Sequence, residues 1–274
     1  MSQKSGTILR AVLIIFIIVL IALPFGTSYH KYHGSLGEDG VKWSLKNDGT
    51  LRVYGKGVVD PENSKEDEEL LKDKESSEDD ESSKNGIYHM DEGLSATYWV
   101  NKGKSETIKT AVVEEGISEL CEGAFANLIN LSSVQLPSSL TAIGDCAFLN
   151  TGLTSVDIPA SVKTVGEMAF KDCKLRQIQL HEGLQEIGNS AFPYCYLNEL
   201  RIPQTVTVIG DGFLEECTVP FDLYMYPLTA PEVGQYFGGG IKDKEKITIH
   251  VQKNAKGYDT DTWADFNVQY DITE

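Results

Sequence analysis

From residue 108 the apolar positions return on a period near 22, far longer than the repeat of one helix or one strand. The marker is a phenylalanine preceded by Ala or Gly. It falls at Phe125, Phe148, Phe170, Phe192 and Phe213, in steps of 23, 22, 22 and 21. Each step carries one template. One copy is Leu131, Val134, Leu136, Pro137, Leu140, Ile143, Gly144, and the next is Leu153, Val156, Ile158, Pro159, Val162, Val165, Gly166. The third is Leu175, Ile178, Leu180, Leu184, Ile187, Gly188, with His181 in the proline's place. The fourth is Leu197, Leu200, Ile202, Pro203, Val206, Ile209, Gly210. An earlier copy, Ile108, Ala111, Val113, Ile117, Leu120, has Glu114 where proline would stand. Residues two apart, such as Val134 and Leu136, leave the same face of a short strand. One copy cannot bury that face alone, so the copies must stack, with aliphatic ladders closed by a ladder of Phe rings. Each such buried side chain contributes about 1.5–3 kcal/mol. The proline ends each strand, and the glycine permits a tight corner.

Outside the repeat the pattern changes three times. Val41–Leu45 and Leu51–Tyr54 alternate apolar and polar around Asp48-Gly49, which predicts a β-hairpin. A lone hairpin is marginal, so it must pack on something larger. After Val219 the template breaks into two alternating stretches, Phe221–Tyr226 and Ile247–Val251, separated by turns. Terminal repeats must be atypical because their outer face meets water, so 219–274 reads as a C-terminal cap covered by Trp263. At the other end, Ala11–Phe25 is an uninterrupted apolar run preceded by Lys4 and Arg10. Positive flank, apolar run and the small residues Gly26-Thr27-Ser28 make 1–28 an export segment. It is either cleaved near Ser28 or kept as a membrane anchor over residues 8–25, since a span needs about 20 apolar residues. The flank puts residues 1–10 inside and the rest outside.

Charge sharpens this division. The net charge is −17. Residues 1–59 hold seven basic and three acidic side chains, whereas 60–92 hold four basic and fourteen acidic. The latter segment has almost no apolar content and reads as a disordered, self-repelling linker. It lacks the Gly-centred spacing of a dedicated calcium loop. An acidic chain without clustered Lys and Arg excludes nucleic acid as main partner. Five cysteines form no knottin-like pattern. Cys173 and Cys195 hold the same repeat position and stack inside the turn layer, as buried thiols or, less simply, as an inter-repeat disulfide.

A period of 20 to 29 with Leu-x-x-Leu-x-Leu spacing is the leucine-rich repeat signature. The fold class is therefore a repeat solenoid of short parallel β-strands with irregular or short helical turns, preceded by a β-hairpin module. Its parts are the export segment 1–28, hairpin 29–59, acidic linker 60–92, repeats 93–218 and cap 219–274. The phrase Ala-Phe-x-x-Cys-x-Leu-x-x-Ile-x-Leu at 169–180, with Leu/Ile-Pro and Ile-Gly elsewhere, resembles the BspA-like (Treponema-type) leucine-rich repeat proteins of bacterial surfaces. Residues 41–57, 98–117 and 247–263 resemble that family's hairpin, entry and closing segments. The acidic stretch is an insertion relative to that pattern. The resemblance implies a secreted or surface-displayed protein that acts by binding, and it supplies no catalytic residues.

Chemistry-bearing motifs point nowhere else. The five histidines include one close pair, His30 and His33, without a third metal ligand. His181 is a turn residue, and the pairs Glu114-Glu115 and Glu215-Glu216 lie on turns. There is no Gly-x-Ser-x-Gly, phosphate loop or HExxH. Asn130-Leu131-Ser132 matters as a glycan acceptor only in a eukaryotic secretory pathway. The reading is a non-enzyme without cofactor or metal. What remains is the outward face of the strands. Its candidate binding residues are Ser133, Gln135, Ser155, Asp157, Arg176, Gln177, Gln179, Asn198, Glu199 and Arg201. Arg176, Glu199 and Arg201 give it a charged end suited to a protein partner. It carries no aromatics, so sugar stacking is not indicated. The expected function is a recognition or adhesion module that binds a protein on a host or bacterial surface. The alternative is a non-catalytic spacer or assembly subunit.

Overall fold

The computed structural model describes residues 30–35, 40–59 and 103–273. The export segment and the acidic stretch 60–92 lie outside the described residues. No helix among the described residues is long and apolar enough to cross a membrane.

Four strands come first: β1 (His30–Ser35), β2 (Lys42–Lys46), β3 (Thr50–Tyr54) and β4 (Gly57–Val59). Each repeat then supplies a pair, one strand to each of two parallel sheets. These pairs are β5 (Thr110–Val113) with β6 (Ile117–Leu120), β7 (Ser133–Gln135) with β8 (Ala142–Ile143), and β9 (Ser155–Asp157) with β10 (Thr164–Val165). They continue as β11 (Gln177–Gln179) with β12 (Glu186–Ile187), and β13 (Glu199–Ile202) with β14 (Val208–Ile209). Next come β15 (Phe221–Met225) with β16 (Glu232–Val233), and finally β17 (Ile247–Gln252) and β18 (Asn267–Ile272).

The even-numbered sheet is one unbroken ladder of seven strands, β4 to β16. The odd-numbered sheet, which also takes in β2 near one end and β18 at the other, runs β1-β2-β3-β5-β7, then β9-β11, then β13-β15-β17-β18. Its hydrogen-bond ladder is interrupted twice, between β7 and β9 and between β11 and β13. The chain is a β-solenoid. Its connectors are irregular turns rather than helices, and the one helical element among the described residues is the 3-10 turn Lys244–Lys246.

The third side of each coil is the phenylalanine turn. Neighbouring rings stack in near-parallel planes, Phe125 to Phe148 at 5.3 Å, Phe148 to Phe170 at 5.1 Å and Phe170 to Phe192 at 5.3 Å. Phe125, Phe148, Phe170 and Phe192 are each 0% exposed. Offset stacks of this kind add about 0.5–1.5 kcal/mol per pair beyond burial.

The hairpin is the first coil of this stack. β2 and β3 pair antiparallel through the Asp48-Gly49 turn, as the alternation predicts. β3 then pairs in parallel with β5, and β4 with β6. Leu51 and Val53 sit in register with Ala111 and Val113, and Val59 with Leu120. At the far end β15 extends the odd sheet and β16 the even one. Phe237 lies 5.4 Å from Phe213 and prolongs the ring ladder. Trp263 closes it, tilted against Phe237 at 4.7 Å and only 2% exposed.

The corner glycines owe their place to close approach. A Cβ on Gly166 would lie 2.6 Å from the Asp145 nitrogen, and one on Gly188 would lie 2.6 Å from the Glu167 nitrogen. The positions lacking proline have a local explanation too. Glu114–Ile117 and His181–Leu184 are turns whose third residues, Gly116 and Gly183, have φ of 103° and 114°. That left-handed geometry selects glycine. The turns beginning at Pro137 and Pro203 instead hold Ser139 and Thr205 at the third position.

Candidate functional site

The coils use their polar side chains in two ways. At the corners they bind the next coil. Glu115 accepts hydrogen bonds from the Ser138 and Ser139 amides at 2.8 and 3.1 Å, one coil on. Glu182 does the same for Gln204 and Thr205 at 3.0 and 3.3 Å. The Ser138 amide and hydroxyl hold the Glu115 carboxyl below the usual carboxylate range. Asp145, Asn189 and Asp211 likewise accept from Glu167, Asp211 and Tyr236 amides. Glu114 pairs with Arg52, and Glu215 accepts from Ser190. The acidic pairs read from the sequence are thus engaged in inter-coil contacts.

The cysteines face inward. None is in a disulfide, and Cys173, Cys195 and Cys217 are buried. Cys173 bonds to the Phe148 carbonyl at 3.1 Å and lies 3.0 Å from Thr151 Oγ1. Burial pushes the Cys173 thiol up to about 11. Cys195 is raised further, first by the neighbouring Cys217 thiol and then by burial.

On the odd sheet the strand residues that alternate with the core point outward. All ten residues predicted as a binding face are exposed there. Six of them, Arg176, Gln177, Gln179, Asn198, Glu199 and Arg201, line one depression of about 540 Å³ together with Asp222. It lies across the second interruption of the ladder. Gln135 and Asp157 line another, of about 660 Å³, across the first. Ser133 and Ser155 lie on β7 and β9, beside it.

The face also continues past Arg201, where the sequence reading ends it. Parallel register places Asp222 beside Glu199, Tyr224 beside Arg201, and His250 beside Tyr224. The expectation of a face without aromatics is therefore corrected. The Arg201 guanidinium lies 4.8 Å from the Tyr224 ring centre, and the His250 ring stacks on Tyr224 at 4.5 Å. Arg201 also donates to Glu199 at 3.2 Å and to the Tyr226 hydroxyl at 3.1 Å. His250 Nδ1 lies 2.8 Å from Asp271, and its other nitrogen 3.6 Å from Asp222. With Arg201 and His250 packed against its ring, Tyr224 is an organising contact rather than a platform for a sugar. Arg176 reaches toward Tyr196, 5.7 Å from the ring centre. The missed residues were legible as alternation in Phe221–Met225 and Ile247–Gln252. Their step of 26 departs from the 22-residue period, which hid their membership of the same face.

His181 sits in its turn with Nε2 2.7 Å from Asp157. Among the described residues no group of three His, Cys, Asp or Glu side chains is placed to hold a metal ion. The geometry offers an extended, polar, solvent-facing strip.

Comparison with known proteins agrees with the repeat. The family described as BspA type Leucine rich repeat region matches residues 103–219 in six copies. No curated protein matches the chain. Among solved structures, a leucine-rich repeat protein from Eubacterium ventriosum is 18% identical at a TM-score of 0.47, covering 82% of this chain and 45% of that one. A leucine-rich repeat protein from Bacteroides ovatus is 19% identical at 0.33, covering 61% and 54%. The pneumococcal vaccine antigen PcpA is 15% identical at 0.39, covering 81% and 66%. The chain thus spans about half the length of the first two.

Proposed function

Because the chain carries a BspA-type leucine-rich repeat region over residues 103–219, we propose that it is a recognition module that binds a protein partner through its odd-numbered sheet face. The reading is supported by one observation above the others. Ten outward positions on consecutive coils are all exposed, and six of them converge on one depression. The core and corner positions are occupied by packing and inter-coil hydrogen bonds, whereas this face presents a continuous row of exposed polar side chains. Arg176, Glu199 and Arg201 are the residues on which binding depends. The module stands outside the membrane, tethered through residues 8–25 or released by cleavage near Ser28.

The test is capture of surface proteins from host cells and from bacteria by the full chain, followed by affinity measurement with Arg176→Ala/Glu199→Ala/Arg201→Ala. Loss of binding by the folded variant is the expected result. A partner held equally well by wild type and variant contradicts the face assignment, and no specific partner in any extract leaves the spacer reading in its place. The topology has its own check, since protease added to intact cells should digest the chain beyond residue 30. Protection of that region overturns the extracytoplasmic placement.

A further inference from the structure

The two depressions on the odd sheet differ in chemistry. The one at the β11/β13 interruption balances two arginines, Arg176 and Arg201, against Glu199 and Asp222. The one at the β7/β9 interruption has neither lysine nor arginine in its lining, and holds Glu114, Glu115 and Asp157. It also has an apolar floor more exposed than that of the other coils, where even Ile178 and Leu180, which line the second depression, are 8% and 6% exposed. Val134 on β7 and Leu136 just after it are only partly buried. Their equivalents one coil on, Val156 and Ile158, are 5% and 1% exposed, and those of β13, Leu200 and Ile202, are 1% and 0% exposed. The template assigns all these positions to the core. At β7 the interrupted ladder leaves two core-type side chains partly open to the surface, beside the buried Pro137.

We propose that this apolar strip, rimmed by Glu114, Glu115 and Asp157, receives a lysine or arginine side chain from an extended segment of the partner; the inference rests on the partner-binding reading above. Charge complementarity selects this occupant. Among the described residues, the one Lys or Arg paired with these carboxylates is Arg52, on Glu114. Among the described residues Asp157 pairs with His181 alone, and its side chain is 74% exposed. The rim therefore stays net negative. A basic side chain lays its methylene stem on apolar surface while its charged head reaches polar groups, and this site offers both. An acidic segment meets like charge there, which rejects it. An aliphatic one covers the floor but leaves the rim unmatched. The depression farther along the same face is charge-balanced, with Arg176 and Arg201 beside Glu199 and Asp222, so a partner segment crossing the coils meets net negative charge only at the first one.

The probe is the peptide acetyl-Val-Lys-Val-Lys-Val-amide, titrated into the full chain with methyl-labelled Val and Leu. The Val134 and Leu136 methyl resonances should shift saturably, and the peptide with Glu for Lys should leave them in place. Asp157 is exposed, so Asp157→Asn and Asp157→Lys keep the fold, which circular dichroism checks. Asp157→Asn should weaken binding about fivefold, the upper range for one exposed ion pair, and Asp157→Lys should weaken it further. Unmoved methyls, equal binding of the Glu peptide, or unchanged affinity in both variants overturns the inference. Partner capture lost in the Arg176/Glu199/Arg201 variant while this site fails the peptide test would remove the acidic site alone. Peptide binding without any dependence of partner capture on the arginine end would instead remove the broader face assignment.

Discussion

The phenylalanine turn and the odd sheet face are built from the same coils, yet they obey opposite rules. Along the turn every coil repeats itself. The rings of Phe125, Phe148, Phe170 and Phe192 stack at 5.1–5.3 Å and none is exposed. Along the face no two coils agree. The outward pairs run Ser133/Gln135, Ser155/Asp157, Gln177/Gln179, Glu199/Arg201, Asp222/Tyr224 and Thr248/His250. A position that must fill a fixed volume between identical neighbours has one good solution. A position that meets water has many, and is free to serve a partner. The difference separates the residues that hold the solenoid together from those that can give it a task.

The sharpest break of that comparison is Phe170→Ala. Truncating a buried ring between two stacked neighbours should cost about 3–5 kcal/mol, read as a lower urea midpoint. A loss under about 1 kcal/mol would mean the ladder is not the structural spine. Gly188→Ala comes next. Its new Cβ would sit 2.6 Å from backbone atoms of the preceding coil, at Glu167 N and Gly166 C. Overpacking of this kind costs about 1–3 kcal/mol or more, again by urea unfolding.

The thiols test the same core through pH. The Cys173 pKa is raised from 9.0 to about 11, with burial as the largest cause. Unfolded chains then release this proton before the folded one does. The contribution is fully present below about pH 9 and is lost as pH rises toward about 11. Stability should fall over that window, and Cys173→Ala should flatten the fall. A thiol reagent at pH 8 should label Cys173 only at the rate of unfolding.

The smallest effects belong to the surface and to one frustrated hydroxyl. Arg176→Ala should change stability by no more than about 0.5 kcal/mol while it weakens partner binding. Ser161 Oγ is buried without a hydrogen-bond partner. Its equivalents Ser139 and Thr205 donate to the Ile117 and Leu184 carbonyls at 2.7 Å. Ser161→Ala should therefore be neutral or slightly stabilising, because no hydrogen bond is lost. Measurable destabilisation would assign that hydroxyl a partner.

The comparison also explains what could be read from the residues alone. The ring ladder, the paired strands and the outward alternation follow from apolar spacing, because periodicity records which side chains share a face. What escaped was set by contacts between coils. Nothing in Leu51-Arg52-Val53-Tyr54 announces that it pairs in parallel with Thr110–Val113, since an insertion separates the two strands in sequence. The Glu115 and Glu182 bonds to the following turns were visible only as carboxylates one coil ahead of a Ser or Thr. The interruptions of the odd sheet, which create both depressions, have no local signature. Likewise Tyr224 and His250 joined the face only once register placed them beside Arg201.

The first coil has a practical consequence. Leu51, Val53 and Val59 are 0% exposed and cover Ala111, Val113 and Leu120. A fragment that starts after the acidic stretch strips this cover from the core, so binding and stability belong on the full chain.

The central claim is that the packing ladders and the recognition face are separable. The measurement that tests it most directly is made on full-length Arg176→Ala/Glu199→Ala/Arg201→Ala, by recording its thermal unfolding and its affinity for the captured partner on one preparation. The account predicts a melting temperature within a few degrees of wild type, as expected for exposed positions, and loss of partner binding. Unchanged affinity in the folded variant, or collapse of the fold along with binding, would contradict it.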